Sequence, residues 1–251
     1  MSRIDVEMIK VSVVTVAYNS EKTIAKTIES VLNQTYLEVE YLIIDGASKD
    51  RTVQIAKSYQ KQFDDKGYTY RIISEPDCGM YDALNKGVAL AQGEIIGQIN
   101  SDDWYENNAL QRVVETYEKE KFDVFWADLR IIKPTGNIIK HAKNSRFASS
   151  RYWNHPTTFI RAELYKANPY ALISMYDDYD LFLRLRNQNA KIVTLNEVLA
   201  DFNFGGMSTQ KNWKETKNRI RLKCNNFKRN GYGWLYYIDS ILIEVAKYLL
   251  S

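Results

Sequence analysis

The chain has 251 residues, of which 45% are hydrophobic and 26% are charged, and its formal net charge is +3. This length allows one large α/β domain, or one domain with an appendage, and the composition argues against wholesale disorder. So small a net charge argues against nucleic acid as the main partner, and the two cysteines, Cys78 and Cys224, indicate neither a disulfide framework nor a metal-ligand spacing.

The first hundred residues alternate between apolar runs typical of strands and segments with helical periodicity. Residues 10–18 are rich in β-branched side chains and predict a buried strand. Further strands are predicted at Val39–Asp45, 70–74 and 94–100. Strands that alternate with helices of this length predict a parallel sheet with right-handed crossovers. In such a sheet, ligands bind beyond the carboxyl ends of the strands.

After residue 103 the pattern changes, and no internal repeat or low-complexity linker separates the two halves. We therefore expect both halves to share one core. The elements predicted here are a helix near 105–120, a hairpin of Val124–Ile132 and 137–141, a strand at 156–160, a helix near 176–187, and strands at 191–195 and 197–202.

The acidic pair Asp102-Asp103 follows the fourth predicted strand. Adjacent carboxylates repel each other unless they are solvated, capped or neutralised by a cation. Their hard oxygen atoms suit Mg²⁺ or Mn²⁺, which reaches a protein through one or two carboxylates. Alternatively, Asp103 only caps a helix that begins near Trp104. The residues alone leave both interpretations open.

Asp45 ends the second predicted strand and precedes Gly46. Its carboxylate could accept hydrogen bonds from a base or a ribose, while the glycine would let a ligand approach the backbone. The alternative is an Asx turn that leads into a helix capped by Asp50. This second interpretation is stronger for Asp50 than for Asp45.

Asp177 and Asp178 open a predicted helix, where acidic side chains stabilise the helix dipole. The more specific hypothesis makes one of them a general base. His155 is one of two histidines, and a lone histidine serves packing more often than catalysis. The loop that contains Gly206 and Ser208 could bind a phosphate through backbone N–H groups, although two glycines are weak evidence.

Together and in this order, these segments resemble the family 2 glycosyltransferases with a GT-A fold, over about residues 9–208. The likeness is greatest to bacterial enzymes that assemble O-antigen, capsule or other exopolysaccharide. It implies a mainly parallel nucleotide-binding sheet flanked by helices, a small antiparallel acceptor-side portion and C-terminal helices. The matching segments are VSVVTVAYNSEKTIAKTIESVLNQTY, YLIIDGASKDRT, SEPDCGMYDALNKGVALAQGEIIGQINSDD, HPTTFIRAELY and YDDYDLFLRLR.

The resemblance also implies roles for individual residues. Asp45 would bind the base, commonly uracil, and Asp82 and Lys86 would contact the donor. His155 would lie near the acceptor, and the 206–208 loop near the diphosphate. The full set implied for the donor side is Thr15, Ala17, Tyr18, Asn19, Asp45, Asp82, Lys86, Ser101, His155, Gly206 and Ser208.

Two departures from the family pattern concern the acids. Residues 100–103 stand at the family's DXD metal motif, but the first position is Asn100, so metal binding would depend on Asp102 with support from Asp103. Asp177 replaces the usual glutamate of a Glu-Asp pair. The second acid is the family's base, which indicates Asp178, and the shorter Asp177 leaves that choice open.

The implied reaction is an inverting, metal-dependent transfer from a nucleotide-sugar, a UDP-sugar by preference, to a glycan or polyprenyl-diphosphate-linked acceptor. A nicotinamide dehydrogenase would need a G-x-G-x-x-G motif after the first strand, where Tyr18-Asn19-Ser20-Glu21 stands instead. A sugar nucleotidyltransferase should carry a Gly-rich phosphate loop at the same place. A non-catalytic nucleotide-sugar-binding partner of a glycosyltransferase complex stays open as the alternative.

We divide the chain into a GT-A domain over residues 1–208 and a basic, amphipathic helical tail over 209–251. Residues 211–229 contain eight Lys or Arg and one acid. On a helical wheel of Trp234–Leu250, Asp239, Ser240, Glu244 and Lys247 share one side and the remaining residues are apolar. This pattern predicts a helix at an anionic membrane surface, or one docked on the core or in a homodimer interface.

The sequence also bears on the compartment. Acidic residues precede the first apolar run, no signal-peptide cleavage pattern follows it, and no run reaches the roughly 20 apolar residues that span a bilayer. The expected compartment is the cytoplasm, with peripheral contact to the inner face of the plasma membrane as the further expectation.

Overall fold

A computed structural model describes residues 8–205 and 212–250. The first half of the chain forms a parallel sheet in the order β3-β2-β1-β4, joined by helical crossovers. The elements are β1 (Val11–Ala17), α1 (Ile24–Leu32), β2 (Val39–Asp45), α2 (Thr52–Ser58), α3 (Gln60–Lys66), β3 (Thr69–Ser74), α4 (Met80–Leu90) and β4 (Ile95–Gln98).

Every residue of β1 and β2 is buried, because helices cover both faces of the sheet. One core cluster lies on each face, the first around Ile28 and Ile43 and the second around Leu84. On the second face, α4 packs closely on β1: a Cβ on Gly87 would lie 2.4 Å from a methyl carbon of Val14. Because Gly87 has no side chain, α4 can pack this closely on β1.

The second half adds a mixed portion to the same sheet, which continues β4-β8-β6-β9-β5, with β7 paired to β6. The β4–β8, β6–β8, β6–β7 and β5–β9 pairs are antiparallel, and β6–β9 is parallel. The predicted mainly parallel sheet with a smaller antiparallel portion is therefore confirmed. The elements are β5 (Trp104–Tyr105), α5 (Ala109–Glu120), β6 (Val124–Ile132), β7 (Ile138–Lys140), a 3₁₀ turn (His155–Thr157), β8 (Phe159–Arg161), α6 (Ala162–Ala167), α7 (Asp177–Asn187) and β9 (Ile192–Asn203).

Two sequence predictions are wrong in this half. The helix expected from residue 105 begins at Ala109, since Trp104 and Tyr105 pair with β9 and the Trp104 indole donates to Asp201 at 2.6 Å. Asp103 therefore caps no helix at Trp104. The two strands expected at 191–202 are one strand, β9, with a register shift beside Asp128. The Asp128 carboxylate holds this irregularity by accepting from the Asn196 amide at 3.1 Å.

Two further helices, α8 (Trp213–Arg229) and α9 (Trp234–Leu250), pack on each other. α8 also packs on α7, and its Phe227 is 1% exposed within the second core cluster. The tail is thus joined to the core that supports the sheet. Within residues 8–205 and 212–250, no helix is long and apolar enough to cross a membrane.

Candidate functional site

Three loops at the carboxyl ends of β1, β2 and β4 are held together by hydrogen bonds. The Asn19 side chain accepts from the backbone N–H of Lys49 at 2.8 Å, and the Ser20 N–H donates to the Thr52 hydroxyl at 2.7 Å. The hydroxyls of Ser20 and Ser101 lie 2.8 Å apart. The polar loops that the sequence placed at one edge of the sheet therefore lie side by side.

Asp45 ends β2 and is fully buried. One carboxylate oxygen accepts from the Ser74 hydroxyl at 2.6 Å and from the Ser48 N–H at 3.0 Å. The other accepts from the Ser48 hydroxyl. The Asx-type turn anticipated from the sequence is therefore present, and Asp45 forms one polar cluster with Ser48 and Ser74.

The residues at the end of β1 and directly after it differ in how exposed they are at the carboxyl edge of the sheet. Thr15 is fully buried and its hydroxyl accepts from Tyr41 at 3.0 Å, so it lies beneath the edge. Ala17 is 5% exposed, and its carbonyl accepts from the N–H of Gly46 at 2.9 Å. Tyr18 is 65% exposed and adjoins Gly46. Tyr18, which directly follows β1, is therefore better placed than Thr15 or Ala17 for a planar ligand group to stack on.

Asp82 and Lys86 lie on the first two turns of α4 and face each other across 3.7 Å. Asp82 accepts from the N–H of Cys78 at 3.0 Å, while Lys86 donates to the Pro76 carbonyl and pairs with Glu75, both at 2.9 Å. The hydrogen bond to Glu75 raises the pKa of Lys86 above its ordinary value, although burial opposes it. Both side chains thus hold the loop that precedes α4 against the helix.

The two acids after β4 have different surroundings. Asp103 is fully buried, with one oxygen accepting from the N–H of Asn203 at 3.0 Å and the other from the Asn100 amide at 3.4 Å. Burial and the neighbouring charge of Asp102 raise the pKa of Asp103 to about 8. Asp102 is only partly buried, and burial also raises its pKa. Asp103 therefore ties the loop to β9, and Asp102 is the more accessible carboxylate.

The Asp102-Asp103 pair offers oxygen ligands of the type that Mg²⁺ or Mn²⁺ prefers. Burial raises the pKa of both carboxyl groups, and a cation bound beside them would favour their ionised forms. Among residues 8–205 and 212–250, no group of three or more His, Cys, Asp or Glu side chains could hold a metal. The accessible Asp102 carboxylate would be the residue to hold a divalent cation there, because such ions can reach a protein through one or two carboxylates.

The two acids that open α7, Asp177 and Asp178, have different surroundings. Asp177 is fully buried and accepts from the backbone N–H groups of Ile173 at 2.7 Å and Ser174 at 2.9 Å. Asp178 lines a large cavity described below, and its side chain is 17% exposed. It also lines a small cavity together with Gln98, the last residue of β4. Asp178 is thus the acid that faces open space beyond the sheet edge.

His155 and Tyr81 adjoin Asp178. An oxygen of Asp178 lies 3.9 Å from Nδ1 of His155, whose pKa is lowered by burial and raised again in part by Asp178. Burial, and then the charge of Asp178, raise the pKa of Tyr81 well above its ordinary value. Its hydroxyl donates to the Met175 carbonyl at 3.1 Å. The sequence analysis missed Tyr81, whose only signal was its place in the segment before Asp82.

Gly206 and Ser208 lie outside the described residues. The other predicted donor-side and metal residues gather at the carboxyl edge of β1, β2 and β4 or on α4, and Asp178 and His155 lie beyond β4. This sheet order and this edge of polar loops define a GT-A glycosyltransferase fold.

The chain belongs to glycosyl transferase family 2, whose profile matches residues 12–175. The family predicted from the sequence is therefore confirmed. Hyaluronan synthase of Pasteurella multocida is 27% identical to it over 252 residues, covering 96% of this chain and 25% of that protein. Chondroitin synthase of Escherichia coli is 30% identical over 70% of this chain and 26% of that protein.

The chain thus spans 25% and 26% of the length of those two synthases. A relative of more similar length is EpsE of Bacillus subtilis, described as a putative glycosyltransferase. It is 29% identical over 76% of this chain and 71% of that protein.

Solved structures confirm the GT-A fold. S. aureus TarS 1-349 in complex with UDP-GlcNAc superposes with a TM-score of 0.71 at 19% identity, over 96% of this chain and 73% of that one. The mannosyltransferase PcManGT from Pyrobaculum calidifontis, in complex with GDP-Man and Mn²⁺, gives 0.67 at 15% identity, over 98% and 71%. At these identities the likeness establishes the fold alone.

Proposed function

We propose that this chain is an inverting, metal-dependent glycosyltransferase that moves a sugar from a nucleotide-sugar, a UDP-sugar by preference, to a glycan or lipid-linked acceptor. The process served would be bacterial surface polysaccharide synthesis. The observation that carries the proposal is the position of Asp178, a single carboxylate that faces open space beyond β4, next to the edge that holds Asp45 and Asp102.

The names of the similar proteins support the choice of substrates. Two of the similar proteins are named as a hyaluronan synthase and a chondroitin synthase, and EpsE is described as a putative glycosyltransferase. The TarS structure contains UDP-GlcNAc, and the mannosyltransferase structure contains GDP-Man with Mn²⁺. The buried acid at Asp45 and its serine partners favour a base with hydrogen-bond donors at its edge, which uracil provides through its ring N–H.

The arrangement of acids fits a single displacement. Asp178 would accept the proton of the attacking sugar hydroxyl, and Tyr81 and His155 would keep its carboxylate in place. One carboxylate suffices for in-line attack, and this attack inverts the anomeric carbon. A divalent cation bound at Asp102 would supply Lewis-acid stabilisation of the leaving diphosphate. Asp103 would hold the Asp102 loop against the end of β9.

The first prediction tests the activity itself. Incubated with a panel of UDP-, GDP- and dTDP-sugars, the chain should hydrolyse at least one donor slowly with Mn²⁺ and much more slowly in excess chelator. Slow hydrolysis is expected because water can take the acceptor's place beside Asp178. Binding of a nucleotide-sugar without any turnover, with or without candidate acceptors, would instead support the non-catalytic binding partner.

We also propose that α9 holds the enzyme at an anionic membrane surface. Its polar side faces the protein: Asp239 accepts from Ser149 at 2.8 Å, and Glu244 is fully buried. The opposite side is an exposed apolar stripe, defined here as Trp234, Leu235, Ile238, Ile241, Leu242 and Leu249, which are 42–72% exposed. Lys214, Lys217, Arg221, Lys228 and Arg229 of the adjoining α8 are exposed as well.

The helix therefore docks through its polar side and turns its apolar stripe outward. Apolar side chains beside exposed lysines and arginines match an interface of acyl chains and anionic headgroups. A lipid-linked acceptor would reach an enzyme held in this way without leaving the bilayer.

The second prediction tests this contact with Leu235→Ser/Leu242→Ser, which leaves the docked side of α9 unchanged. Co-sedimentation with vesicles that contain phosphatidylglycerol should weaken by about tenfold or more, because two leucines no longer enter the interface. Leu37→Ser, at a residue that is 58% exposed in the loop before β2, is the matched control and should not change partitioning. Equal partitioning of all three proteins would refute the membrane contact, and a dimer that only the double variant loses would assign the stripe to a second subunit.

A further inference from the structure

A cavity of about 700 Å³ lies between the antiparallel part of the sheet and the two C-terminal helices. We call it the basic cavity, because six cationic side chains line it and Asp178 is the only acid among its described lining residues. Its other walls are largely apolar and include Leu129, Trp153 and Ile243. The cationic residues are Lys133, Lys140, Arg151, Arg219, Lys223 and Lys247.

Positive charge is in excess around this space. Among the described residues, Glu244 accepts from Arg219 at 2.8 Å, from Lys223 at 2.7 Å and from Lys247 at 3.1 Å. Asp239 lies 3.5 Å from Arg151, so these two carboxylates pair with four of the six cations. Burial alone would raise the pKa of Glu244, but Lys223 and Lys247 outweigh it and lower the pKa to about 2. The carboxylate is therefore ionised at any physiological pH, and the cations still outnumber it.

Lys140 is a cation of the basic cavity that has no carboxylate among its hydrogen-bond partners. Its ammonium group donates to two uncharged acceptors, the carbonyls of Ser150 at 3.1 Å and Trp153 at 2.6 Å. Burial, reinforced by the charges of Lys247 and Lys223, lowers the pKa of Lys140 to about 7, against the opposing effect of Asp178. An ammonium has three donors and these carbonyls use two, so one N–H is left for a ligand, and the negative charge of that ligand would favour the protonated form of Lys140.

A second polar atom in the same wall is also unsatisfied. Within the described residues, Nε2 of His155 is buried and has no hydrogen-bond partner. His155 lines the basic cavity together with Asp178. A bound group would therefore meet a histidine nitrogen and several ammonium groups on the side where the acceptor hydroxyl must approach the base.

We propose that the basic cavity binds a phosphate or diphosphate group of the acceptor, and so holds the acceptor next to Asp178. Phosphate oxygens are strong acceptors that can bond several ammonium and guanidinium groups at once. The proposal rests on the proposed function only in naming the bound molecule as the acceptor. The phosphate could belong to a lipid carrier or to a water-soluble glycan phosphate, and the apolar walls distinguish these two sources in the experiment below.

The test is calorimetric titration of the full chain with inorganic pyrophosphate in metal-free buffer. Pyrophosphate should bind the unmodified chain, and Lys140→Met/Lys247→Ala should raise the dissociation constant by about tenfold or more. Lys228→Ala removes an exposed lysine of α8 outside the cavity and should leave it unchanged. If the double variant fails to fold, Lys247→Ala alone is used, because that side chain is 62% exposed and Arg219 and Lys223 still neutralise Glu244.

UDP affinity, measured separately with Mn²⁺, should be equal in all of these proteins. If it falls by the same factor as pyrophosphate affinity, the cations serve the donor diphosphate and the proposal is wrong. Pyrophosphate affinity that is undetectable, or equal in the double variant and the original chain, would also overturn it. Because no turnover is measured, absent donor hydrolysis would refute the proposed function and leave this result standing.

A final comparison identifies the source of the phosphate. A short prenyl diphosphate carries the same charged group as pyrophosphate and adds an apolar chain for the walls near Leu129 and Ile243. Tighter binding of the prenyl compound would assign the cavity to a lipid-linked acceptor. Equal binding would assign it to the phosphate group alone, as in a water-soluble glycan phosphate.

Discussion

Replacing Asp178 with asparagine is expected to lower the rate of sugar transfer by about 10²–10⁴-fold, because the amide cannot accept the proton of the attacking hydroxyl. The shape of the site should be kept, since the asparagine oxygen can still accept from the N–H of Tyr179, as Asp178 does at 2.7 Å. The measurement is steady-state transfer with the donor identified in the hydrolysis panel. Calorimetry with UDP and Mn²⁺ should show unchanged nucleotide affinity.

Asp177→Asn is the matched control, because it makes the same chemical change one residue away. Both Asp177 oxygens accept from backbone N–H groups in a buried position, and an asparagine can satisfy only one of them. The expected effect is a loss of about 1–3 kcal/mol of stability, with a fall in Tm of about 2–4 °C per kcal/mol. If Asp177→Asn abolishes transfer in a folded protein while Asp178→Asn does not, the base has been assigned to the wrong acid.

The second large effect is expected at Asp102. Asp102→Ala should lower transfer by about 10²-fold or more, because metal stabilisation of a leaving group is worth several kcal/mol and each 1.4 kcal/mol is a factor of ten. The fold should survive, because Asp102 is only partly buried and the neighbouring Asp103 makes the contact with β9. The readouts are the dependence of rate on Mn²⁺ concentration and thermal unfolding. Full activity of the original chain in excess chelator would contradict the metal assignment.

Asp103→Asn is expected to be milder. With a pKa raised to about 8 by burial and by Asp102, the metal-free side chain is largely protonated at pH 7, and asparagine resembles that neutral form. The amide oxygen can still accept from the N–H of Asn203. A loss of transfer as large as that of Asp102→Ala, with no loss of stability, would show that both carboxylates hold the cation.

Much of the parallel half could be predicted from the sequence. The β-branched runs gave β1 and β2 to within a residue or two, since a strand buried on both faces is a continuous apolar run. Polar residues directly after such runs must lie at one edge of a parallel sheet, so Asp45 and Asp102 could be assigned to a common site. The local sequence pattern was sufficient for this half, because the carboxyl ends of adjacent parallel strands lie at the same edge of the sheet.

Other features required the tertiary structure. Asp177 and Asp178 have the same side chain, and only the loop that donates its N–H groups to Asp177 distinguishes the buried acid from the one that faces the cavity. The helical wheel gave α9 an apolar side but not its direction. Arg219 and Lys223 decide that direction, because they draw Glu244 into the interior and so turn the apolar stripe outward.

The basic cavity left no signal in the sequence at all. Lys140 lies in β7, Lys223 in α8 and Lys247 in α9. Because these elements are far apart along the chain, the sequence does not predict that the three lysines line one cavity. Each is an ordinary charged residue in its own segment. Packing of the C-terminal helices against the sheet buries Lys223, lowers the pKa of Lys140 and Lys223 through desolvation, and brings Lys247 to the rim of the same cavity, so the three lysines line one space that could receive an anion.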